Sequence, residues 1–258
     1  MNIYKTEAGA PGKQKVVVLH GWGCDHRHMQ PIVDALSDRY HVYNYDLPGR
    51  GKSEWDANIK SIDDFVDALL SHLPETAIYV GWSFGGLISM LIAARYPERV
   101  ERFIGIGTTP RFIASDNWIG FPQPGFKVPF QQGIDELGFM KFMEAYIDNE
   151  FQDIAPLPPG HQELYDILHN SSEVDLDILY DGINICDSTD LRKSFAQINC
   201  PIKFIWGGAD DCVPNESHDN ILKLNSYAHA DVIEGAHHMM FWTHQKEFNG
   251  ILNKLMKN

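Results

Sequence analysis

The sequence predicts an α/β fold, in which helices cover both faces of a mostly parallel sheet and a helical cap is inserted into the core. Short apolar runs alternate with amphipathic helical stretches along much of the 258 residues, the pattern of parallel βαβ units. Residues 111–190 interrupt this alternation with six prolines. Gly81-Trp82-Ser83-Phe84-Gly85 lies between an apolar run and a helical run, which indicates a sharp strand–turn–helix connection.

Six short apolar runs predict the strands of the sheet. They are Lys15–His20, His41–Tyr45, Ala77–Val80, Arg102–Gly107, Ile202–Trp206 and Ala230–Ile233. Continuous apolar runs of this length are typical of strands buried in a parallel sheet. Helical spacing predicts helices over Met29–Ser37 and Ser61–His72, and the second begins with Ser61 and Asp64 spaced as in a capping box.

Residues 111–190 are predicted to form the helical cap (lid), and residues 1–110 and 191–258 the core. Gly138–Ile147 and His161–His169 have helical spacing within the cap. From residue 110 to residue 190 the chain has 15 acidic and 3 basic residues, whereas the rest nearly balances. We therefore expect one strongly acidic unit beside a nearly neutral one.

Composition argues against several classes of partner. The formal net charge of −14 argues against nucleic acid, which needs a basic surface. No run approaches the roughly 18 apolar residues of a membrane span, and the first residues do not resemble a secretory signal. The four cysteines are scattered, which favours reduced thiols. We therefore expect a cytoplasmic monomer with no membrane partner.

Residue patterns at three strand ends predict a nucleophile, an acid and a base. Ser83 stands at the strained turn, and a serine hydroxyl needs a base whose tautomer is held by an acid. The acid follows the fifth run, where the spacing Gly-x-x-Asp-x-x-Val-Pro selects Asp210 over Asp211. The base follows the sixth run, where His237 and His238 compete. We choose His237, because Gly-Ala before it permits a tight approach, and we expect His238 at the rim of the pocket.

If the serine attacks a carbonyl group, two backbone N–H groups are also needed to stabilise the oxyanion of the tetrahedral intermediate. One is expected from Phe84, the residue after the nucleophile. The other is expected from Trp22, in the glycine-flanked loop His20-Gly21-Trp22-Gly23. Both side chains are also expected to contact substrate. His20 is expected to be a structural hydrogen-bonding residue beneath this loop.

Over its full length the chain resembles the α/β-hydrolase superfamily and, within it, the pimeloyl-acyl-carrier-protein methyl ester esterases of biotin synthesis. The resemblance lies in His20–Gly23, Gly81–Leu87, Thr109–Phe112 with Trp118, Gly182–Ile185, Thr189–Arg192 and Gly207–Pro214. It implies a carboxylesterase for short acyl esters that uses no metal or other cofactor. It also implies that Tyr146, matched to an aromatic cap residue, lines the acyl channel.

The same resemblance implies an acyl-carrier protein as partner. The family's cap docks this acidic carrier through arginines, whereas the cap predicted here is acidic, and like charges oppose association. Thioesterase, lactonase and carbon–carbon hydrolase activities on the same three residues remain alternatives. A ligand-binding receptor without catalysis is another.

Overall fold

A computed structural model describes residues 1–171 and 174–257. Residues 172–173, in the predicted cap, and residue 258, in the predicted core, lie outside the described residues. The described ranges contain a seven-stranded sheet in the order β1-β3-β2-β4-β5-β6-β7. Its strands are β1 (Lys5–Ala8), β2 (Lys15–Leu19), β3 (His41–Tyr45), β4 (Ala77–Trp82), β5 (Val100–Ile106), β6 (Ile202–Gly207) and β7 (Ala228–Ile233). Only β1 pairs antiparallel, so the sheet is mostly parallel, as predicted.

From β2 onward helices alternate with the strands, and an uninterrupted group of helices lies between β5 and β6. They are α1 (Gln30–Ser37), α2 (Ile62–Leu70), α3 (Phe84–Arg95), α4 (Lys127–Leu137), α5 (Phe139–Glu150), α6 (Pro159–His169), α7 (Leu176–Ser188), α8 (Arg192–Phe195), α9 (Asn215–Lys223), α10 (Met240–Thr243) and α11 (Gln245–Leu255). None of these helices has both the length and the apolarity needed to cross a membrane.

All six predicted strands are present, with ends displaced by at most two residues. The edge strand β1 escaped prediction because its four residues, Lys-Thr-Glu-Ala, are partly or fully exposed and carry no apolar alternation. The predicted cap of α2 is confirmed on its serine side, where the Ser61 hydroxyl accepts the Asp64 N–H at 3.2 Å. Local patterns thus predict the buried strands and fail at the solvated edge.

The sheet divides the core into two layers, because successive strand residues point to opposite faces. On β2, Val17 and Leu19 pack into the layer with α2 and α3, whereas Val16 and Val18 pack into the layer with α1 and α11. Helix α3 is buried over ten of its twelve residues. This buried helix gives the turn before it a rigid support.

The segment predicted as a cap contains α4 to α7. Helix α5 packs against α4 and α6, and α4 also packs against α7. Helix α6 in turn contacts α10, which follows β7. The segment therefore reaches the same region as the loops at the carboxyl ends of the strands.

Candidate active site

A strained turn between β4 and α3 carries Ser83. Its torsions are φ 53° and ψ −118°, and no other non-glycine residue in the described ranges has positive φ. A Cβ on Gly81 would lie 2.5 Å from the Gly85 carbonyl oxygen, and a Cβ on Gly85 2.4 Å from that of Leu19. Only glycine permits these close approaches, which make the tight turn possible. The Ser83 side chain at this strained turn lines a cavity.

Loops at the carboxyl ends of β6 and β7 bring a carboxylate and an imidazole together. Asp210 Oδ2 lies 2.8 Å from His238 Nδ1, and both side chains are buried. Asp210 Oδ1 accepts the N–H groups of Cys212 at 2.8 Å and Val213 at 3.3 Å. Asp211 is exposed. Of the two candidate acids, Asp210 is therefore the one that the fold pairs with a histidine.

The environment of His238 suits an imidazole that gains a proton. Burial lowers its pKa, but the charge and the hydrogen bond of Asp210 outweigh burial, and Glu150 adds to their effect, so the pKa lies above 6.5. His238 lines the same cavity as Ser83. Because Nδ1 faces Asp210, Nε2 is the nitrogen left to exchange a proton with a group in the cavity.

The choice of His237 over His238 is wrong, since the structure directs the His237 ring away from Asp210. His237 Nε2 lies 3.1 Å from Asp153 Oδ2 and 3.4 Å from Gln152 Nε2, both on exposed residues just after α5. His238 in turn is buried rather than at the rim. The two histidines have exchanged the places that the sequence analysis assigned them.

The exchange has a physical cause in the loop after β7. The Ala209 N–H donates to the Ala236 carbonyl at 2.9 Å, which ties this loop to the one that carries the acid. Trp82 Nε1 donates to the His238 carbonyl at 3.1 Å, and the two rings pack with centroids 5.5 Å apart. These long-range contacts decide which neighbouring side chain turns inward, and the Gly-Ala pair carries no signal for them.

The loop predicted to supply an oxyanion donor is held by His20, in the structural role expected of it. The Leu47 N–H donates to His20 Nε2 at 2.9 Å, so Nδ1 carries the proton and donates to the Gly21 carbonyl at 2.8 Å. Burial lowers the pKa of His20 to about 4, which keeps the ring neutral at pH 7. Carbonyl and N–H point in opposite directions in a trans peptide, so this bond also orients the N–H of Trp22.

The Trp22 side chain lines the cavity with Ser83. Its indole Nε1 donates to the Leu179 carbonyl on α7 at 2.8 Å, and its ring lies 5.2 Å from that of Phe130 on α4. A Cβ on Gly21 would lie 3.2 Å from that of Ser83, so the loop borders Ser83 directly. The expectation that Trp22 shapes the pocket agrees with this placement.

Phe84 occupies a different place from the one expected for its side chain. As the first residue of α3, it has a backbone N–H with no partner inside the helix, and this N–H follows Ser83 directly. Its ring, however, packs edge-on against Phe65 at 5.2 Å, and Phe84 lines a smaller cavity that Trp22 also borders. The structure therefore does not bring the Phe84 ring to the cavity that Ser83 lines. The backbone N–H of Phe84 remains a candidate oxyanion donor.

The cavity that Ser83 lines is largely aromatic and apolar, and the inserted segment supplies much of its wall. Its lining residues are Trp22, Cys24, Trp82, Ser83, Phe112, Phe126, Phe130, Phe142, Met143, Tyr146, Ile183, Cys186, Cys212 and His238. Tyr146 is among them, as expected, and burial raises its pKa well above 10, so the phenol stays neutral. The sequence analysis missed the phenylalanines, since apolar positions in amphipathic helices carry no sign of whether they face core or ligand.

Two groups of side chains each place three possible metal donors within 4.8 Å of one another. They are Asp210 with Cys212 and His238, and Asp25 with His26 and Asp46. Contacts within the fold already engage these carboxylates: Asp210 with His238, Asp25 with Arg27, and Asp46 with His26. We therefore assign no metal to either group.

Comparison with known proteins places this site in a family. Residues 16–251 match the model of the alpha/beta hydrolase family. The chain is 33% identical over 242 residues to a pimeloyl-[acyl-carrier protein] methyl ester esterase of Shewanella woodyi, which covers 91% of each protein. Thus both the sequence resemblance and the fold expected from it are confirmed.

Solved structures agree on the fold. A bromoperoxidase from Bacillus anthracis superposes with a TM-score of 0.85 at 26% identity, covering 99% of this chain and 95% of the other. An enol-lactonase from Burkholderia xenovorans LB400 gives a TM-score of 0.83 at 20% identity, with 99% and 96% covered. These differently named proteins share one scaffold, so the fold does not select the substrate.

Proposed function

Because this chain belongs to the α/β-hydrolase family, we propose that it is a serine carboxylesterase with Ser83 as nucleophile, His238 as base and Asp210 as orienting acid. The observation that carries the proposal is the buried 2.8 Å contact between Asp210 and His238 beside the cavity that Ser83 lines. A pure binding protein has no need of an acid and a base in register with a strained serine, so this contact favours catalysis over the receptor alternative.

In the proposed mechanism, Ser83 Oγ attacks the ester carbonyl while His238 Nε2 takes its proton. Asp210 holds the imidazole through Nδ1 and stabilises the cation that forms. The N–H groups of Phe84 and Trp22 stabilise the oxyanion. His238 then protonates the departing alcohol, and water activated by the same nitrogen releases the acid and restores Ser83.

The cavity supports a neutral, apolar acyl group as the substrate. Its walls hold rings and aliphatic side chains, and the lining contains no lysine or arginine that could pair with a substrate carboxylate. An ester entering it loses little hydration, whereas the carboxylate product would lose much more. Hydrolysis therefore converts an ester that binds in this cavity into a carboxylate that is released from it.

As the natural substrate we propose the methyl ester of pimeloyl-acyl-carrier protein, with a role in biotin synthesis. Support comes from the Shewanella woodyi relative of that name and from the apolar cavity, which accepts an uncharged chain end. The opposing consideration is the 15 acidic residues between residues 110 and 190, where the carrier would approach. Docking therefore requires a local group of cations, for which Lys141 on the exposed side of α5 is a candidate.

A matched pair of substrates tests this assignment. We expect kcat/KM for methyl pimeloyl-acyl-carrier protein to exceed that for the same methyl ester without its carrier by about tenfold or more, mainly through KM, because the carrier adds binding remote from the reacting bond. Equal values for the two substrates would reject the carrier and leave a carboxylesterase of small esters.

The two neighbouring aspartates give a matched test of the acid. Asp210→Asn should lower kcat by about 10⁴-fold, because an amide no longer fixes the base in its productive tautomer. Asp211→Asn should change kcat by less than about twofold, since that carboxylate is exposed. Steady-state kinetics on one short methyl ester compares them, and a larger loss in Asp211→Asn would reassign the acid.

A further inference from the structure

The turn that ends α5 contacts the residues on both sides of His238. Glu150, the last residue of α5, accepts the N–H of Met239 on its Oε2 at 2.5 Å. Asp153, three residues later, lies 3.1 Å from His237 Nε2. The inserted segment therefore touches the loop of the base immediately before and immediately after His238.

Glu150 is an unusual member of this contact, since its carboxyl group is buried, with 3% of the residue exposed. Burying a carboxylate is costly, and accepting one backbone N–H does not require a charge, because a glutamine oxygen could do the same. A titratable group in this position calls for an explanation beyond packing.

We propose that Glu150 is a positioning residue for the base, which fixes the loop of His238 and supplies a negative charge that favours the imidazolium formed during turnover. The inference rests on the proposed function and extends it to a residue of the inserted segment. Glu150 does not touch the reacting atoms, and it acts only through His238.

The surroundings of Glu150 support this role. The titratable groups that face it are His237, His238, Asp210, Tyr146 and Cys212. Of these five, only the histidines can become cations, and His238 is the buried one. The stabilising effect of a negative Glu150 therefore falls on the imidazole that is protonated in the reaction.

Burial raises the pKa of Glu150 to about 7, against the lowering effects of His238 and the Met239 N–H. Its carboxyl is therefore largely neutral at pH 5 and ionised at pH 8.5. The base must also be neutral before it can accept the Ser83 proton. As the pH rises, kcat/KM should accordingly increase through two coupled ionisations rather than one.

Glu150→Gln separates charge from hydrogen bond, because the amide oxygen still accepts from Met239. We expect its kcat/KM at pH 8.5 to fall by about fivefold with little change in KM. We also expect its acid limb to fit one ionisation, with a midpoint lower by about half a pH unit, since the charge that raises the pKa of His238 is gone. Glu150→Ala loses the acceptor as well and should cost about 10²-fold.

Glu163→Gln is the matched control, an exposed glutamate on α6 in the same segment, and should leave plateau and acid limb unchanged. Titration with a serine-reactive phosphonate gives the active fraction of each preparation, and the midpoint of the acid limb does not depend on that fraction. If the glutamine variant does not fold, Glu150→Asp replaces it, and this variant should keep two ionisations.

An acid limb and plateau in Glu150→Gln that match those of the unsubstituted enzyme would overturn the inference while leaving the esterase intact. A single ionisation in Glu150→Asp would overturn it too. If the unsubstituted protein is neither labelled by the phosphonate nor active on esters, the proposed function fails first and the inference fails with it.

Discussion

Replacing Ser83 with alanine should abolish ester hydrolysis, with kcat falling by about 10⁶-fold, as it does when a nucleophile is removed from another serine triad. The loss should be this large because alanine at position 83 has no hydroxyl that could attack the ester or give a proton to His238. The oxyanion donors alone sustain only a small residual rate. Alanine keeps the Cβ and the same strained torsions, so the free energy of unfolding should change by less than about 1 kcal/mol.

Ser89 offers a matched control for this substitution. It lies on α3, the helix that follows Ser83, is buried, and donates its hydroxyl to the Gly85 carbonyl at 2.8 Å instead of facing the cavity. Ser89→Ala should keep hydrolysis within about tenfold and still bind a serine-reactive phosphonate, whereas Ser83→Ala should do neither. Retention of a tenth or more of the activity in Ser83→Ala would remove the serine from its role.

Exchanging the two adjacent histidines for alanine, one at a time, should give opposite results. His238→Ala should lower kcat by about 10⁶-fold, comparable with the loss of the nucleophile, because the two residues act as one unit. His237→Ala should keep kcat within a few-fold, since the hydrogen bonds of that ring go to Asp153 and Gln152, which are exposed, and not to Asp210. Initial rates on one short methyl ester at pH 8 measure both variants.

The pH profile gives an independent check on the same assignment. Because the pKa of His238 is raised above 6.5 by Asp210, its neutral form, which is the one that acts as base, forms only at higher pH. The acid limb of kcat/KM should therefore lie above pH 6.5 and persist in His237→Ala. An acid limb that disappears in His237→Ala would return the role of base to His237, and equal losses in the two variants would leave the choice of His238 without support.

The strands of the core and the turn at Ser83 were predictable from sequence, because each depends on neighbours along the chain. Continuous apolar runs mark strands buried on both faces, and glycines two residues before and after Ser83 mark backbones that must approach closely. The edge strand β1 was not predictable in this way, since a short, solvated strand has no apolar pattern to reveal it. This strand forms through its antiparallel pairing with β3.

The sequence by itself determined the fold class, the strained turn at Ser83 and the choice of Asp210 over Asp211 as the carboxylate that meets a histidine. Spacing within one loop distinguishes that buried carboxylate from its exposed neighbour. Only the tertiary structure decided between His237 and His238. Neighbouring residues of one type have the same local pattern, and distant contacts set which of them turns inward. The tertiary structure also brought Glu150, at the end of α5, to the Met239 N–H in the loop that carries His238. The sequence of α5 gives no sign of this contact.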